Sequence, residues 1–146
     1  LKYFYLSIFG ILFIYKAVKG EKYMRKAKVT EAEIQDLLLD IGLSPSVMGF
    51  QYITYAEQLI LMDEKYLHHV TKLLYIDIAK KFQTTPAAVE RNIRHSITTA
   101  WLHGSLAQIN KLFRNSINPE KGVPTNSQFL ARLYFYFINN CPGKSA

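Results

Sequence analysis

The strongest constraint on this chain is a Thr-Thr-Pro step at residues 84–86, set between a short and a long stretch of helical periodicity. Upstream, over about 74–82, Ile78, Ala79 and Phe82 fall on one side at near-helical spacing. Gln83, Thr84 and Thr85 interrupt that pattern. Thr85 is a good N-cap, because its hydroxyl can accept an otherwise orphaned backbone N–H. Pro86 suits the first helical position, where its missing N–H costs nothing. Gly104 is expected to close the second helix in the left-handed conformation that glycine enters freely. Short helix, tight turn and longer helix make a helix-turn-helix, whose second helix can lie in a DNA major groove.

That second helix, about Pro86 to His103, carries two chemistries. At about 100° per residue, Val89, Ile93, Ile97 and Ala100 cluster on one side. Arg91, Arg94, His95 and Thr98 cluster opposite, with Ala87 and Ala88 near the start. Arginine can donate two parallel hydrogen bonds to guanine O6 and N7, so two arginines three residues apart suit two nearby base steps. The competing reading is a solvated helix face with ordinary charges. Thr85, the helix N-terminus, Lys80 and Lys81 are placed to hold phosphates.

Charge sharpens the picture. Residues 30–64 contain no Lys or Arg but seven acids: Glu31, Glu33, Asp36, Asp40, Glu57, Asp63 and Glu64. Residues 65–132 contain ten bases against three acids (Asp77, Glu90, Glu120), a balance of +7. A basic region beside an acidic one is what a duplex-binding module with an outward partner surface shows; a chance dipole is the plainer alternative. The single cysteine, Cys141, rules out an internal disulfide, fits a reducing compartment and reads as a plain free thiol. His68 and His69 point about 100° apart on a helix, and His95 and His103 lie about 12 Å apart along one, so neither pair shares an ion readily. No metal, cofactor, small-molecule substrate or nucleophile–base pair is expected, and so no enzyme.

The rest of the chain reads as helices, and no strand alternation appears. Thr30 and Glu33 form a capping box for a helix over 30–41, with Ile34, Leu37, Leu38 and Ile41 inward and Gly42 as its stop. Ser44 and Pro45 are expected to start a second helix running to about Met62, with Met48, Tyr52, Tyr55, Leu59 and Met62 as its core stripe. Short helices follow over 66–73 and 105–113, the second with Leu106, Ile109, Leu112 and Phe113 apolar and Lys111 and Arg114 outward. Trp101 falls on the border of the core face. Thr125 and Gln128 make a second capping box, opening a last helix to about Ile138 with Phe129, Leu130, Leu133, Phe137 and Ile138 inward. Residues 1–23 hold an apolar run of about 13 residues, short of the roughly 20 that span a bilayer. Three readings stay open for them: translated leader DNA, since Lys19-Gly20-Glu21 can encode a ribosome-binding sequence ahead of Met24; a weak membrane-surface anchor; or an extra helix on the domain. The expected division is 1–29 as an apolar and basic segment, 30–139 as one helix-turn-helix domain, and 140–146 as a tail.

The residues then become recognisable. Leu74-Tyr75, 77–82 (DIAKKF), Thr84-Thr85, Val89-Glu90-Arg91, Ile93-Arg94-His95 and Trp101, with 124–129 (PTNSQF) and Gly49-Phe50, resemble the DNA-binding effector domain of the sporulation response regulators over roughly residues 31–138. The resemblance implies an all-α bundle of about six helices, winged-helix-like in size and without strands. It implies a cytoplasmic, sequence-specific transcription regulator binding double-stranded DNA boxes that often stand in tandem, sites on which a homodimer could form. Arg91 and Arg94 match base-reading positions, and Thr98 stands where an acidic residue faces the bases. Ala87, Ala88, Glu90 and His95 match positions at the DNA backbone. The segment holding Ser105, Gln108, Lys111 and Leu112 matches the one implicated in contact with the polymerase sigma subunit. Ala87 and Ala88 replace a Ser-Arg pair that touches phosphates, which is expected to flatten the salt dependence by about one charge. Ile76 replaces a proline. The family's receiver domain has no counterpart in residues 1–29, so a receiverless relative or a fragment is expected. The rival reading is an interaction module that antagonises a full-length regulator or binds sigma factor without reading DNA.

Overall fold

The computed structural model describes residues 17, 19–20, 29–114 and 122–140. The three readings of residues 1–23, the 115–121 part of the polar loop and Cys141 fall outside the described residues. Among those described there are seven α-helices and no strand: α1 (Glu31–Asp40), α2 (Met48–Met62), α3 (Lys65–His68), α4 (Tyr75–Phe82), α5 (Pro86–His103), α6 (Leu106–Phe113) and α7 (Asn126–Asn139). A π-helical turn, Val70–Leu74, runs directly into α4.

Local chemistry sets most of the helix ends. Thr30 and Glu33 close a reciprocal capping box, the Thr30 N–H donating to Glu33 Oε2 at 2.7 Å and the Glu33 N–H to Thr30 Oγ1 at 3.3 Å. Thr30→Ala is expected to cost about 1 kcal/mol, read as a lower urea midpoint at unchanged slope. At the far end of α1, Gly42 has φ +96°. Its N–H donates to Leu39 O and that of Leu43 to Leu38 O, which together complete a Schellman stop.

Two expected ends differ. Ser44 does not cap α2: its hydroxyl bonds Ser46 in a turn, and the helix begins at Met48 after Val47, which makes no side-chain cap. Gly104 is not left-handed either but extended, at φ −83° and ψ −173°. Its small size is required for another reason: a Cβ there would collide with the carbonyls of Ala100 and Ile41, where the end of α1 crosses the end of α5.

The core lies around α2, which touches α1, α3, α4, α5 and α7. It therefore buries a wide face: Gly49, Phe50, Tyr52, Ile53, Thr54, Ala56, Glu57, Ile60 and Leu61. Of the expected stripe, Tyr52 is buried and Tyr55 and Leu59 pack half-buried against the core, but the two ends miss it: Met48 is 46% and Met62 81% exposed. A helix this apolar offers several 3–4 spacings, and packing on five neighbours selects among them. Glu57 is the second surprise. It belongs to no acidic surface: it is fully buried, both carboxylate oxygens lack a hydrogen-bond partner, and burial raises its pKa well above the usual carboxylate range. On α7, Phe129, Leu130, Leu133, Phe137 and Ile138 all point inward as expected.

Candidate nucleic-acid interface

The helix-turn-helix forms where the sequence placed it. Helix α4 packs on α2 through Phe82, whose ring meets Tyr52 edge-on at 5.0 Å and Tyr55 at 5.9 Å. It ends at Gln83, which takes the left-handed conformation at φ 53°. The Thr84 N–H donates back to Ala79 O at 2.9 Å. Thr85 then caps α5, its Oγ1 accepting the Ala88 N–H at 3.1 Å, with Pro86 in the first turn.

The inward face of α5 is Val89, Ile93, Ser96, Ile97 and Ala100. Val89, Ile93 and Ile97 are wholly buried, and burial of such a side chain is worth about 1.5–3 kcal/mol. Rolling the helix to turn its arginines inward would forfeit that, so the core fixes which face meets solvent.

That outward face carries the residues expected at the site. Arg91, Arg94 and His95 are exposed, as are Ala87 and Glu90; Ala88 and Thr98 are half-buried. The Arg91 side chain projects into solvent and, among the described residues, makes no ion pair or hydrogen bond. Arg94 is partly engaged: its Nη1 donates to the backbone carbonyl of Pro124. A guanidinium carries five N–H donors, so one bond to the loop leaves most of the fork available. The Thr98 hydroxyl donates to Arg94 O at 2.9 Å. Its proton is thereby committed to its own helix, and only its oxygen remains to accept. Lys80 and Lys81 are exposed in the last turn of α4; Lys80 lies 3.9 Å from Asp77, and Lys81 sits 5.8 Å from the centre of the Tyr55 ring.

In the 105–113 segment the four expected residues separate. Ser105 caps α6, its Oγ accepting the Gln108 N–H at 3.4 Å, and Ser105, Gln108 and Lys111 are exposed. Leu112 is buried at 3% exposure and so supports this surface from beneath instead of contacting a partner. The helical stripe of α6 holds for Ile109, Leu112 and Phe113, whereas Leu106 faces solvent at 67% exposure. Trp101 packs edge-on against Phe113 at 5.1 Å.

Sequence reasoning missed the residues that brace the recognition helix from behind. Asn126 Nδ2 donates both to the Tyr75 hydroxyl at 3.0 Å and to the Glu90 carbonyl at 3.1 Å. Tyr75 opens α4 and is buried. Burial raises its pKa, partly offset by the Asn126 bond, and the phenol stays protonated. In the sequence, Asn126 stands out only as part of the 124–129 block. No spacing rule links it to α5, because its partners lie far away in the chain. The Tyr66 hydroxyl, donating to Asp77 at 2.7 Å and pushed up to about 12 by that bond, ties α3 to α4 in a similar way.

Residues 34–136 match the family model described as Sporulation initiation factor Spo0A C terminal. This is a family of DNA-binding transcription-factor domains that bind DNA at 0A boxes, and it is not an enzyme family. An all-α domain without strands among the described residues is what that match leads one to find. The chain belongs to the family of the C-terminal, DNA-binding domain of the sporulation initiation factor Spo0A.

Proposed function

We propose that this chain is a sequence-specific DNA-binding regulator of the sporulation-initiation type, folded as one unit over residues 30–139 and acting in the cytoplasm. Its helix Pro86–His103 enters the major groove. Arg91 and Arg94 read bases, with Thr98 beside them as an acceptor. Lys80, Lys81, Thr85, the first turn at Ala87 and Ala88, and His95 lie along the phosphates, with Glu90 between them. The observation that carries this reading is the two-faced α5: three fully buried aliphatics on one side and both arginines exposed on the other. Among the described residues, no helix is long and apolar enough to cross a membrane.

The test is a gel-shift titration of wild type, Arg91→Ala and Arg94→Ala on a duplex carrying an 0A box and on a scrambled duplex. A good bidentate contact is worth about 1–3 kcal/mol, so each variant is expected to lose roughly 5- to 150-fold on the box and much less on the scrambled DNA. Unchanged box affinity in both would count decisively against base reading.

A second reading draws on one observation. Leu102 and Leu106 are 68% and 67% exposed, next to Ser105, Gln108 and Lys111. This favours a protein contact at the α5–α6 junction, of the kind the sigma subunit would make. Homodimerisation on tandem boxes is compatible with either reading. Pull-down without DNA separates them: tight protein binding with no duplex binding would make the chain an interaction module.

A further inference from the structure

We propose that the turn at 124–126 is a positioning device for the recognition helix, setting the direction of the Arg94 guanidinium and, through it, the preference for one DNA sequence over another. The inference rests on the DNA-reading function proposed above and goes beyond it, because none of these three residues is among the base readers or phosphate contacts proposed there. It begins from three hydrogen bonds. Pro124 O accepts from Arg94 Nη1, and Asn126 Nδ2 donates to Glu90 O and to Tyr75 OH. Glu90 and Arg94 are four residues apart and so lie along one strip of α5. The turn therefore grips that strip at two successive levels, by backbone at Glu90 and by side chain at Arg94.

Asn126 is suited to this role. It is 7% exposed, and an amide nitrogen has two hydrogens, both of which are used here. One goes to the helix before the tight turn and one to the helix after it, so a single side chain holds the two helices of the motif in register. Thr125 fixes the amide in turn, because its capping box with Gln128 (3.0 and 3.2 Å) starts α7 at Asn126 itself. Pro124 is buried and carries no N–H, so its carbonyl is the group it can offer.

The consequence for recognition is entropic as well as geometric. A free arginine samples many rotamers and loses them on binding a base; one already tethered has less to lose, and it presents its remaining N–H groups in fewer directions. Arg91, without such a tether among the described residues, then reads its base with looser geometry, and Arg94 supplies the larger share of the discrimination.

The experiment uses the full chain and two readouts. In the free protein, 15N relaxation at Arg94 Nε compares wild type with Asn126→Ala. On DNA, affinities for the 0A-box duplex and the scrambled duplex give a preference ratio. Asn126→Ala is expected to lower the Arg94 order parameter while leaving that of Arg91 unchanged. It should cut the box preference by about tenfold, within the range one bidentate contact commands, and leave scrambled-duplex affinity as it was. Combined with Arg94→Ala, it should add no further loss of preference.

An unchanged Arg94 order parameter, equal losses on both duplexes, or fully additive losses would each overturn the proposal. If Asn126→Ala does not fold, Tyr75→Phe decides on the same readouts. It keeps the buried ring and removes one of the amide's two acceptors, so a smaller change in the same direction supports the device and no change overturns it. Should Arg94→Ala keep the box preference, base reading by Arg94 fails and takes the specificity role of the turn with it. The DNA-free relaxation measurement separates that outcome from a failure of the tether itself.

Discussion

Gly49→Ala is expected to destabilise the domain by about 2 kcal/mol, and Gly49→Val by about 3 kcal/mol or more, as overpacking at a rigid contact does. Helix propensity alone points the other way, since alanine is favoured over glycine by about 1 kcal/mol within a helix. The reversal comes from contact between α2 and α5. A Cβ at position 49 would run into Ser96 Oγ and the Asn92 carbonyl, whose carbon would lie only 2.9 Å away. Ser96 could move its hydroxyl, but the Asn92 backbone can yield only if α5 itself shifts. Urea melts of the two variants would measure the loss, and gel shifts on the 0A box should show weaker binding under conditions where the variants remain folded. A Gly49→Ala protein as stable as wild type would show that the helices are not this close.

The second large effect concerns Glu57. Burial raises its pKa in the folded core well above the value near 4.3 at which a glutamate titrates in the unfolded chain, and so favours the neutral carboxyl. The contribution of this group to stability is therefore fully present below about pH 4 and is lost as the pH rises towards the folded-state pKa, because the unfolded state gives up a proton that the folded state retains. Each pH unit in that window costs at most about 1.4 kcal/mol.

Glu57→Leu removes the ionisable group and the two unpartnered oxygens together. It is expected to be more stable than wild type at pH 7 by at least 1–3 kcal/mol, the cost of a buried unsatisfied polar group. The gap should narrow as the pH falls towards 4. Thermal or urea melts of both proteins from pH 4 to 8 supply the test: parallel curves would mean that Glu57 is solvated or partnered in solution.

These two positions show what could be read from sequence and what could not. The recognition motif was legible because its signals are local: the Thr85 cap, Pro86, and Val89, Ile93 and Ile97 at helical spacing, all as found. The capping boxes at Thr30 and Thr125 were legible for the same reason. Helix α2 was not. It is apolar on most sides, so periodicity could not say which residues face its five neighbours, and it placed Met48 and Met62 inside and Glu57 on an acidic surface. In the candidate site, the exposed face of Arg91 and Arg94 followed from the period of α5. The bracing of that face did not, because Pro124–Arg94, Asn126–Glu90 and Asn126–Tyr75 join residues 30, 36 and 51 positions apart. Such contacts belong to the packed molecule and leave no mark at short range.

The π turn at Val70–Leu74 has a consequence for the motif that follows it. With the Tyr75 N–H reaching back to Val70 O, this turn accommodates one residue more than an α-helical turn would. Excising that residue would not merely tighten the chain; it would spin α4 by about 100° about its own axis. Ile78 and Ala79 would leave the core, and the Tyr75 hydroxyl would swing away from Asn126. The azimuth of the helix-turn-helix is thus set by a coiling irregularity that lies just outside it.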